Sequence, residues 1–532
     1  MTLALAIAGA LTGVALVSCG GGSAPGTPEA PASSPATVAS PSSGRSIIDL
    51  AVAEPDSVIW GADSGDLQAD LPGLTTGDFN GDGLADILFG ARFGDGPGNS
   101  RPDAGEAYVV FGSENPAPSL DIAKDEQGLT IWGALRGDQL GYSVHAGDVN
   151  GDGLDDILIG APFAQDPLAG FGSSIGAAYI IYGSPDLGGE IDLAEEEQDV
   201  KIWGPGSSSL FGDSIAVGDV NGNGAKDIIV GATFAQQPES LPNRTGQTGA
   251  VFIIYTAEGL PPVLQQGEYD VAIYGEEHND ELGDAVASGD LNGDGVDDII
   301  MVAEAADGPD NDRPVGGEIY VIFGRRDLEE VIAIGEGGDD LRIYSGDATD
   351  TLGFSVAAFD LNGDGYDELV AGARAADGPT NSLREAGEVH IIYGKESLPS
   401  VIDLANDEGD AYLFGADPGQ LLGAVSAGDI DGDGTLELIT GSGYVSGPGG
   451  DRSSAGGAYA ARADNLSGAV DVTAAQLLTA YYGGVPRERA GAAVASADVN
   501  GDGKSDVILL AAAGNGPNGE RPEAGQVYIL LS

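Results

Sequence analysis

The sequence predicts an all-β fold, a seven-bladed β-propeller with four strands in each blade. Three observations lead to this prediction: a loop signature occurs seven times, two further markers recur in step with it, and short β-branched or aromatic segments lie between them. These segments are bounded by Gly, Asp or Pro, and none keeps a sustained helical period. Four strands per repeat suit the blades of a propeller, where blades surround a central channel.

The loop signature is Asp-x-(Asn/Asp)-Gly-(Asp/Asn)-Gly-x-x-(Asp/Glu). Successive copies are 69 to 71 residues apart. Spacing this even indicates one structural unit that is used seven times. The copies span Asp78–Asp86, Asp148–Asp156, Asp219–Asp227, Asp290–Asp298, Asp360–Glu368, Asp429–Glu437 and Asp498–Asp506.

Two strand markers accompany each loop. The first occurs as Ile59–Gly61, Ile131–Gly133, Ile202–Gly204, Ile273–Gly275, Ile343–Ser345, Leu413–Gly415 and Tyr481–Gly483. The second occurs as Tyr108–Phe111, Tyr179–Tyr182, Phe252–Tyr255, Tyr320–Phe323, His390–Tyr393, Tyr459–Arg462 and Tyr528–Leu531. We therefore expect each unit to contain, in chain order, the Ile-Trp-Gly strand, a strand before the loop, a strand after it and the aromatic strand.

The N-terminal part of the repeat region predicts how the ring closes. Ser46–Leu50 resembles segments that separate later repeats, such as Glu190–Leu193 and Val401–Leu404. The sequence given stops at Ser532, where another such segment is due. We expect the N-terminal segment to supply the missing outer strand of the last blade and so to pair an exposed edge.

The loops carry the oxygen donors that calcium prefers. Side-chain oxygens at positions 1, 3, 5 and 9, with the backbone carbonyl of position 7, can surround one Ca²⁺ ion, which takes six to eight oxygens. We expect up to seven ions, one per repeat. The candidate ligands are Asp78, Asn80, Asp82, Leu84, Asp86, Asp148, Asn150, Asp152, Leu154, Asp156, Asp219, Asn221, Asn223, Ala225, Asp227, Asp290, Asn292, Asp294, Val296, Asp298, Asp360, Asn362, Asp364, Tyr366, Glu368, Asp429, Asp431, Asp433, Thr435, Glu437, Asp498, Asn500, Asp502, Lys504 and Asp506.

Two other interpretations of the loops were weighed. An EF-hand requires Glu at position 12 and flanking helices. Position 12 is Phe89, Ile159, Val230, Met301, Ala371, Thr440 or Leu509, so this interpretation fails. The loops could also be Asx turns that hold no ion. Crowded carboxylates repel one another unless a cation lies between them, which favours the metal interpretation. The third loop has the fewest carboxylates and the sixth has the most.

Composition excludes several classes of partner and site. The chain has 85 acidic and 21 basic residues, a formal net charge of −64. Nucleic acid and anionic membrane surfaces are therefore disfavoured as partners. The single cysteine excludes an intramolecular disulfide, and the three scattered histidines leave little for a His-based metal site or triad.

The N-terminus is predicted to be an export signal. Residues 1–19 contain a short apolar run that ends in Leu16–Cys19, which resembles the lipobox of bacterial lipoproteins. The resemblance implies lipidation of Cys19 and, because Gly20 follows, delivery to the outer membrane or cell surface. An ordinary cleaved signal peptide or a free cysteine are the alternatives. Residues 20–45 are rich in Gly, Ser and Pro and are predicted to form a disordered tether.

Further motifs resemble a known family. Leu140-Gly141 and Phe211-Gly212 precede loops, and Gly90–Arg92, Gly160–Pro162, Gly231–Thr233 and Gly372–Arg374 follow them. These residues resemble the FG-GAP repeats of the integrin α-subunit head and its bacterial relatives. The resemblance covers residues 46–532 and implies a seven-bladed propeller with calcium loops on one face. The chain departs from the pattern at Asp70–Gly73, Val302–Glu304 and Ala511–Ala513.

These observations favour a non-enzymatic function. We expect a calcium-binding, surface-tethered lipoprotein that binds a protein or glycan, as adhesion modules do, with membrane contact only through the lipid on Cys19. No Ser-centred elbow or His–carboxylate pair stands out in the sequence, and no nucleotide loop is present. Two alternatives remain: a propeller enzyme acting on extracellular polysaccharide, with Gln236–Gln247 or Arg487–Arg489 as irregularities that could form a site, and a structural component of an envelope complex.

Overall fold

The computed structural model describes residues 46–67, 73–166, 174–206, 208–241, 246–406, 408–462, 466–473 and 477–532. Seven sheets account for all the strands of these segments, and each sheet has five strands. The all-β, seven-bladed prediction is confirmed. The prediction of four strands per blade is wrong, because a fifth, outermost strand pairs in parallel with the fourth.

Three consecutive antiparallel strands form the inner part of every blade. The innermost strands of blades one to seven are Leu74–Gly77 (β3), Val144–Gly147 (β8), Phe211–Gly218 (β13), Leu282–Gly289 (β18), Leu352–Phe359 (β23), Ala424–Gly428 (β28) and Ala490–Ala497 (β33). The second strands are Asp86–Ala91 (β4), Asp156–Ala161 (β9), Asp227–Ala232 (β14), Asp298–Ala303 (β19), Glu368–Ala373 (β24), Glu437–Ser442 (β29) and Asp506–Ala511 (β34). The third strands are Glu106–Val110 (β5), Ala177–Ile181 (β10), Ala250–Ile254 (β15), Glu318–Ile322 (β20), Glu388–Ile392 (β25), Gly457–Arg462 (β30) and Gln526–Leu530 (β35).

The two outer strands of a blade do not directly follow its third strand in the sequence. The fourth strands are Leu129–Trp132 (β7), Val200–Trp203 (β12), Val271–Tyr274 (β17), Leu341–Tyr344 (β22), Ala411–Phe414 (β27), Leu477–Tyr482 (β32) and Ser57–Trp60 (β2). The fifth strands are Gly189–Asp192 (β11), Val263–Leu264 (β16), Val331–Ala333 (β21), Val401–Asp403 (β26), Gly468–Asp471 (β31), Ser46–Asp49 (β1) and Ser119–Asp121 (β6).

The four strands predicted for each unit occur in the predicted chain order, as β7, β8, β9 and β10 do. The Ile-Trp-Gly strand, however, belongs to the blade of the preceding repeat. For example, β7 pairs with β5 of blade one, although it precedes the loop of blade two. Each blade is thus assembled from two sequence repeats. This overlap joins neighbouring blades through the chain itself.

The ring closes because the first Ile-Trp-Gly strand, like the others, pairs in the preceding blade. The strand β2 is the fourth strand of the seventh blade and pairs with β35. The prediction that Ser46–Leu50 supplies the outer strand of the last blade is wrong, because β1 pairs with β32 as the fifth strand of the sixth blade. Two N-terminal strands therefore close two successive blades.

The hydrophobic core consists of seven clusters, each between two neighbouring blades. One cluster joins blade seven to blade one, with Phe89 and Tyr108 packed near Ile508 and Val527. The others lie between successive blades around the ring. All seven second strands are buried along their full length, because a neighbouring blade covers both faces of each.

Short 3₁₀ helices are the remaining regular elements of the described residues, in which no α-helix occurs. They are Pro97–Asn99, Ile122–Lys124, Leu193–Glu195, Pro309–Asn311, Ile334–Glu336, Pro379–Asn381, Leu404–Asn406 and Pro517–Gly519. Within the same segments no helix has the length and apolar character needed to cross a membrane. The predicted signal peptide, the tether and Cys19 lie outside the described residues.

Candidate functional site

The seven signature loops connect the first and second strand of every blade. In the first loop, the Asp78 carboxylate accepts hydrogen bonds from the backbone N–H groups of Gly81, Asp82 and Gly83, at 2.8, 3.2 and 3.0 Å. In every other loop the Asp at position 1 likewise accepts from the N–H groups of positions 5 and 6. These bonds wrap the loop around the oxygen of position 1.

Positions 3 and 5 are ordered by the same kind of bond. Asn80 Oδ1 accepts from the Asp82 N–H at 2.8 Å, and Asp82 Oδ1 accepts from the Leu84 N–H at 2.9 Å. Such turns draw the side-chain oxygens of alternate residues together. The glycine at position 6, Gly83, has a φ of 87°. This left-handed conformation is costly for residues with a side chain, which explains its recurrence.

The acid at position 9 also attaches the loop to the rest of its blade. Its carboxyl group is completely buried in all seven loops. In blade one, Asp86 accepts from Phe79 N at 3.0 Å and from Gly112 N at 2.8 Å. It therefore ties the start of the loop to the residue after the third strand. Burial raises the pKa of the position-9 carboxyls to about 6 or 7, while these hydrogen bonds oppose the rise.

The donor set fits a hard cation. Each loop brings together side-chain oxygens at four positions in a nine-residue segment, from carboxylates alone in the sixth loop and from carboxylates and amides in the others. The carboxylates raise one another's pKa where they are close, as Asp78 and Asp82 do for Asp86. Hard cations such as Ca²⁺ prefer these oxygens and relieve this repulsion. The ligand assignment itself stays a prediction. In the third loop Asn221 donates its amide to Asp227 at 2.8 Å, as Asn362 does to Glu368 in the fifth loop at 3.0 Å.

The loops are also joined to one another. Backbone hydrogen bonds run from Asp155 N to Asp78 O and from Ser505 N to Asp429 O, at 3.2 and 2.8 Å. At position 8, which the sequence analysis did not identify, a carboxylate bonds to the neighbouring loop in three blades. Most of the loops therefore form a continuous band at one end of the propeller.

A second group, of charged and aromatic residues, lies at the ends of the inner strands that face away from the signature loops. It comprises Arg92, Tyr142, Asp213, Asp284, Glu304, Phe354 and Arg374, here called the far-end cluster. Because β13 starts at Phe211 and leads into the loop at Asp219, Asp213 lies near the end of the strand away from the loop. The equivalent positions in blades two, four and five carry Tyr142, Asp284 and Phe354.

The far-end cluster links five blades through charged and aromatic contacts. The Arg92 guanidinium is 4.8 Å from the centroid of the Tyr142 ring, and that of Arg374 is 4.2 Å from the centroid of Phe354. Arg374 Nε also lies 4.0 Å from Glu304 Oε1. A cavity of about 50 Å³ beside Phe354 and Arg374 extends toward Tyr444 and Arg489.

Two acids of this cluster are strongly perturbed. Burial raises the pKa of Asp213 to about 6, against hydrogen bonds from Thr233 and Tyr142. Burial, followed by the charge of Glu304, raises the pKa of Asp284 well above its usual range. The sequence analysis missed these residues. Their signal was present in the variation of one inner-strand position that is Tyr, Asp, Asp, Phe, Ala and Ala in blades two to seven.

Of the two irregular segments suggested as alternative sites, Arg487–Arg489 reaches the cavity of the far-end cluster through Arg489. In the other segment, Gln236 and Gln247 form an antiparallel bridge, and residues 242–245 between them lie outside the described residues. Glu488, between Arg487 and Arg489, is buried and accepts a hydrogen bond from the Tyr528 hydroxyl at 3.0 Å. This carboxyl therefore has a structural partner within blade seven.

Comparison with known proteins identifies the repeat. The family model described as the FG-GAP repeat matches residues 72–110, 140–181, 211–254, 352–392 and 490–530. The chain contains FG-GAP repeats. Two of its seven repeats, in blades four and six, fall outside these matches, and blade four is where Val302–Glu304 departs from the motif.

Its relatives include integrin α subunits. It is 28% identical to integrin alpha pat-2 of Caenorhabditis elegans over 249 residues, 44% of this chain and 18% of the relative. It is 25% identical to phosphatidylinositol-glycan-specific phospholipase D of Homo sapiens over 384 residues, 69% of this chain and 42% of the relative. The chain therefore spans less than half the length of these relatives.

Solved structures give a more distant likeness. The crystal structure of the V. cholerae biofilm matrix protein Bap1 is 14% identical, with a TM-score of 0.35 over 90% of this chain and 91% of that one.

Proposed function

We propose that the protein is a calcium-stabilised, non-enzymatic binding module of the cell surface that recognises a protein or a glycan. One observation carries the proposal. The loop end repeats the same donor pattern in seven blades, whereas the far end changes from blade to blade. A feature kept in every repeat serves the scaffold, and a feature that breaks the repeat is suited to recognise one ligand.

Calcium would be held by the oxygens at positions 1, 3, 5 and 9 and the carbonyl of position 7. The ion would supply positive charge that offsets the mutual repulsion of these carboxylates. The chain supplies the rest: Asx turns that order the donors and a buried position-9 acid that ties each loop to its blade. Binding to the folded state alone would stabilise the propeller.

The far-end cluster has the chemistry of a recognition surface. Arg and aromatic side chains are enriched where proteins bind partners. The Arg374 side chain is 34% exposed, and its guanidinium is already packed on Phe354. A partner that meets these groups would find them held in place, which lowers the entropy lost on binding.

A location outside the cell is also proposed. Integrin α subunits are among the relatives. The lipobox-like Leu16–Cys19 supports an anchor at Cys19 on an outer membrane or cell surface. Replacement of Cys19 by Ser is expected to release the chain from the membrane fraction, and an unchanged distribution would overturn the anchor.

The binding function can be tested on the purified chain with two probes, an array of microbial glycans and solubilised envelope proteins. Arg374→Ala is expected to weaken capture, and the matched change Arg384→Ala, at an Arg side chain that is 80% exposed, is expected to leave it unchanged. Equal binding by both variants and the wild type would remove the far end from the proposal. Excess chelator is expected to lower both the thermal midpoint and the binding.

A second candidate function is an enzyme acting on extracellular polysaccharide. The observation in its favour is the Asp284–Glu304 pair, whose proximity and burial keep the pKa of Asp284 raised, as a general acid requires. Release of new reducing or unsaturated ends from polysaccharides, abolished by Asp284→Asn, would favour this candidate. Binding without product formation would favour the first.

A further inference from the structure

The sixth loop differs from the others in charge. Its third position is Asp431, whereas the other six loops have Asn there. In five of those loops the Asn side chain accepts a hydrogen bond from the backbone N–H of position 5. Four carboxylates, those of Asp429, Asp431, Asp433 and Glu437, thus occupy the four side-chain donor positions. Carboxylate oxygens of the first three lie within 4.8 Å of one another, the one such acidic group among the described residues.

A cation from the protein itself already lies against this loop. Arg462, the last residue of β30, bonds to Asp431 through Nη2 and to Asp433 Oδ2 through Nη1 at 2.9 Å. Its Nε is 3.7 Å from Glu437 Oε1. The guanidinium is permanently charged and carries five donors in a planar fork, so it can serve several carboxylates at once.

The arrangement depends on the strand register. Arg462 is directly opposite Glu437, the position-9 acid, across the second and third strands of blade six. The same register in the other blades places an aromatic or aliphatic residue opposite position 9. Those residues are Phe111, Tyr182, Tyr255, Phe323, Tyr393 and Leu531.

We infer that Arg462 takes the place of the divalent cation in the sixth loop, so that blade six is the metal-independent blade of the propeller. The guanidinium contacts the donors of positions 3, 5 and 9, and an ion would need the same oxygens. Charge-assisted hydrogen bonds to fixed carboxylates are strong, and the Arg need not be recruited from solution. The inference rests on the proposed calcium binding by the other loops.

Arg462 lies in the blade to which an N-terminal strand is attached. The outermost strand of blade six is β1, the N-terminal strand that takes part in closing the ring. Arg452 of the same blade bonds to Asp49 of β1. An internal cation would offset part of the negative charge of this loop, in the blade that accepts β1, whether or not calcium is present.

Bound calcium per chain, counted by elemental analysis after equilibration and desalting, tests the inference. Arg462→Tyr, which restores the residue found at this register in blades two, three and five, is expected to bind one more ion per chain than the wild type. Arg384→Tyr, a change at an exposed guanidinium, is the matched control and is expected to leave the count unchanged. Equal counts in the wild type and Arg462→Tyr, or an ion for every loop in the wild type, overturn the inference while leaving calcium binding intact.

A second pair of variants keeps the test independent of the folding of Arg462→Tyr. In the wild-type background, Asp429→Asn is expected to leave the ion count unchanged, because the sixth loop holds no ion. Asp290→Asn, at the same position of the fourth loop, is expected to lower the count by one. A loss of one ion in Asp429→Asn overturns the inference, and the absence of calcium from all of these proteins overturns the proposed function instead.

Discussion

The Asp155 carboxylate of blade two accepts a hydrogen bond from the backbone N–H of Asp78 in blade one, with Oδ2 2.9 Å from the nitrogen. The same bond recurs between Asp297 and Asp219 at 2.7 Å and between Asp367 and Asp290 at 2.8 Å. In each pair the second residue is position 1 of a loop. The acid at position 8 therefore fixes the neighbouring loop at the residue around which that loop is wrapped.

Removal of the Asp155 carboxylate is expected to destabilise the junction of blades one and two. Asp155→Ala leaves the Asp78 N–H without its acceptor, which costs about 1–3 kcal/mol when the group is shielded from water. The thermal midpoint of the chain should fall, and calcium should be bound more weakly by the first loop. Titration calorimetry and thermal unfolding measure both, with Asp186→Ala at an exposed site as control. Equal effects of the two changes would contradict the role of Asp155.

The glycines of the family motif pack against each other across blades. A Cβ atom on Gly231 would lie 2.0 Å from the carbonyl oxygen of Gly283 in the next blade, and one on Gly90 equally close to that of Gly141. Gly231→Ala is therefore expected to destabilise the protein by about 1–3 kcal/mol or more through overpacking. Gly206→Ala, where no atom lies within 4 Å, is the control and should leave the unfolding midpoint unchanged. A neutral Gly231→Ala would show that the blades separate easily.

The fold was largely predictable because the repeat is regular. Seven evenly spaced loops set the number of blades, and β-branched segments gave the inner strands. Register between distant segments was not predictable, since β7 and β12 carry no mark that assigns them to the preceding blade. The fifth strands, such as the two-residue β16, are too short and too variable to be recognised from propensity alone.

The candidate site was predictable to a lesser degree. The position-9 acids stand out in the sequence as candidate ligands, but their hydrogen bonds to the residue after the third strand, as from Gly112 to Asp86, arise from tertiary pairing. The contact of Arg462 with the sixth loop likewise depends on the register of two strands. In the sequence, Arg462 ends the second strand marker of its repeat, where the other repeats have an aromatic or aliphatic residue. The same repeat has the most acidic loop.

Closure of the ring is expected to depend on an ion pair. Arg452 bonds to Asp49 of β1, and their side chains are only 12% and 17% exposed. Arg452→Leu should weaken the attachment of β1 to blade six by about 1–3 kcal/mol, the usual range for hydrogen bonds to charged groups. Hydrogen exchange of residues 46–49 should accelerate before any change in the core strands.

A matched change elsewhere separates this effect from loss of charge. Arg325→Leu removes a more exposed partner of Asp340, with side chains 45% and 36% exposed, and should not alter exchange at β1. The position of Arg452 tolerates leucine in another blade. Its equivalent in blade five is Leu383, whereas blades one, four and seven have Arg101, Arg313 and Arg521. Unchanged protection of β1 in Arg452→Leu would show that the parallel pairing with β32 is sufficient.

The pH dependence of stability should change sign with calcium. Burial raises the pKa of Asp298 from 3.8 and of Glu368 from 4.5, each to about 7, in the metal-free protein. The folded chain then binds protons that the unfolded chain releases, so their contribution is complete below the unfolded pKa values and is lost as pH rises through about 7. In chelator, the thermal midpoint should therefore rise as pH is lowered from about 7.5 to about 5.

Calcium should reverse this trend because a bound ion favours the ionised carboxylates. The folded-state pKa values then fall below the unfolded ones, and stability is lost as acid displaces the ion. Thermal midpoints measured at both pH values, at constant ionic strength, should move in opposite directions with and without calcium. Asp298→Asn, which cannot take up the proton, should reduce the slope in chelator. Parallel slopes in the two conditions would mean that the loops hold no ion and that their acids serve only as hydrogen-bond acceptors.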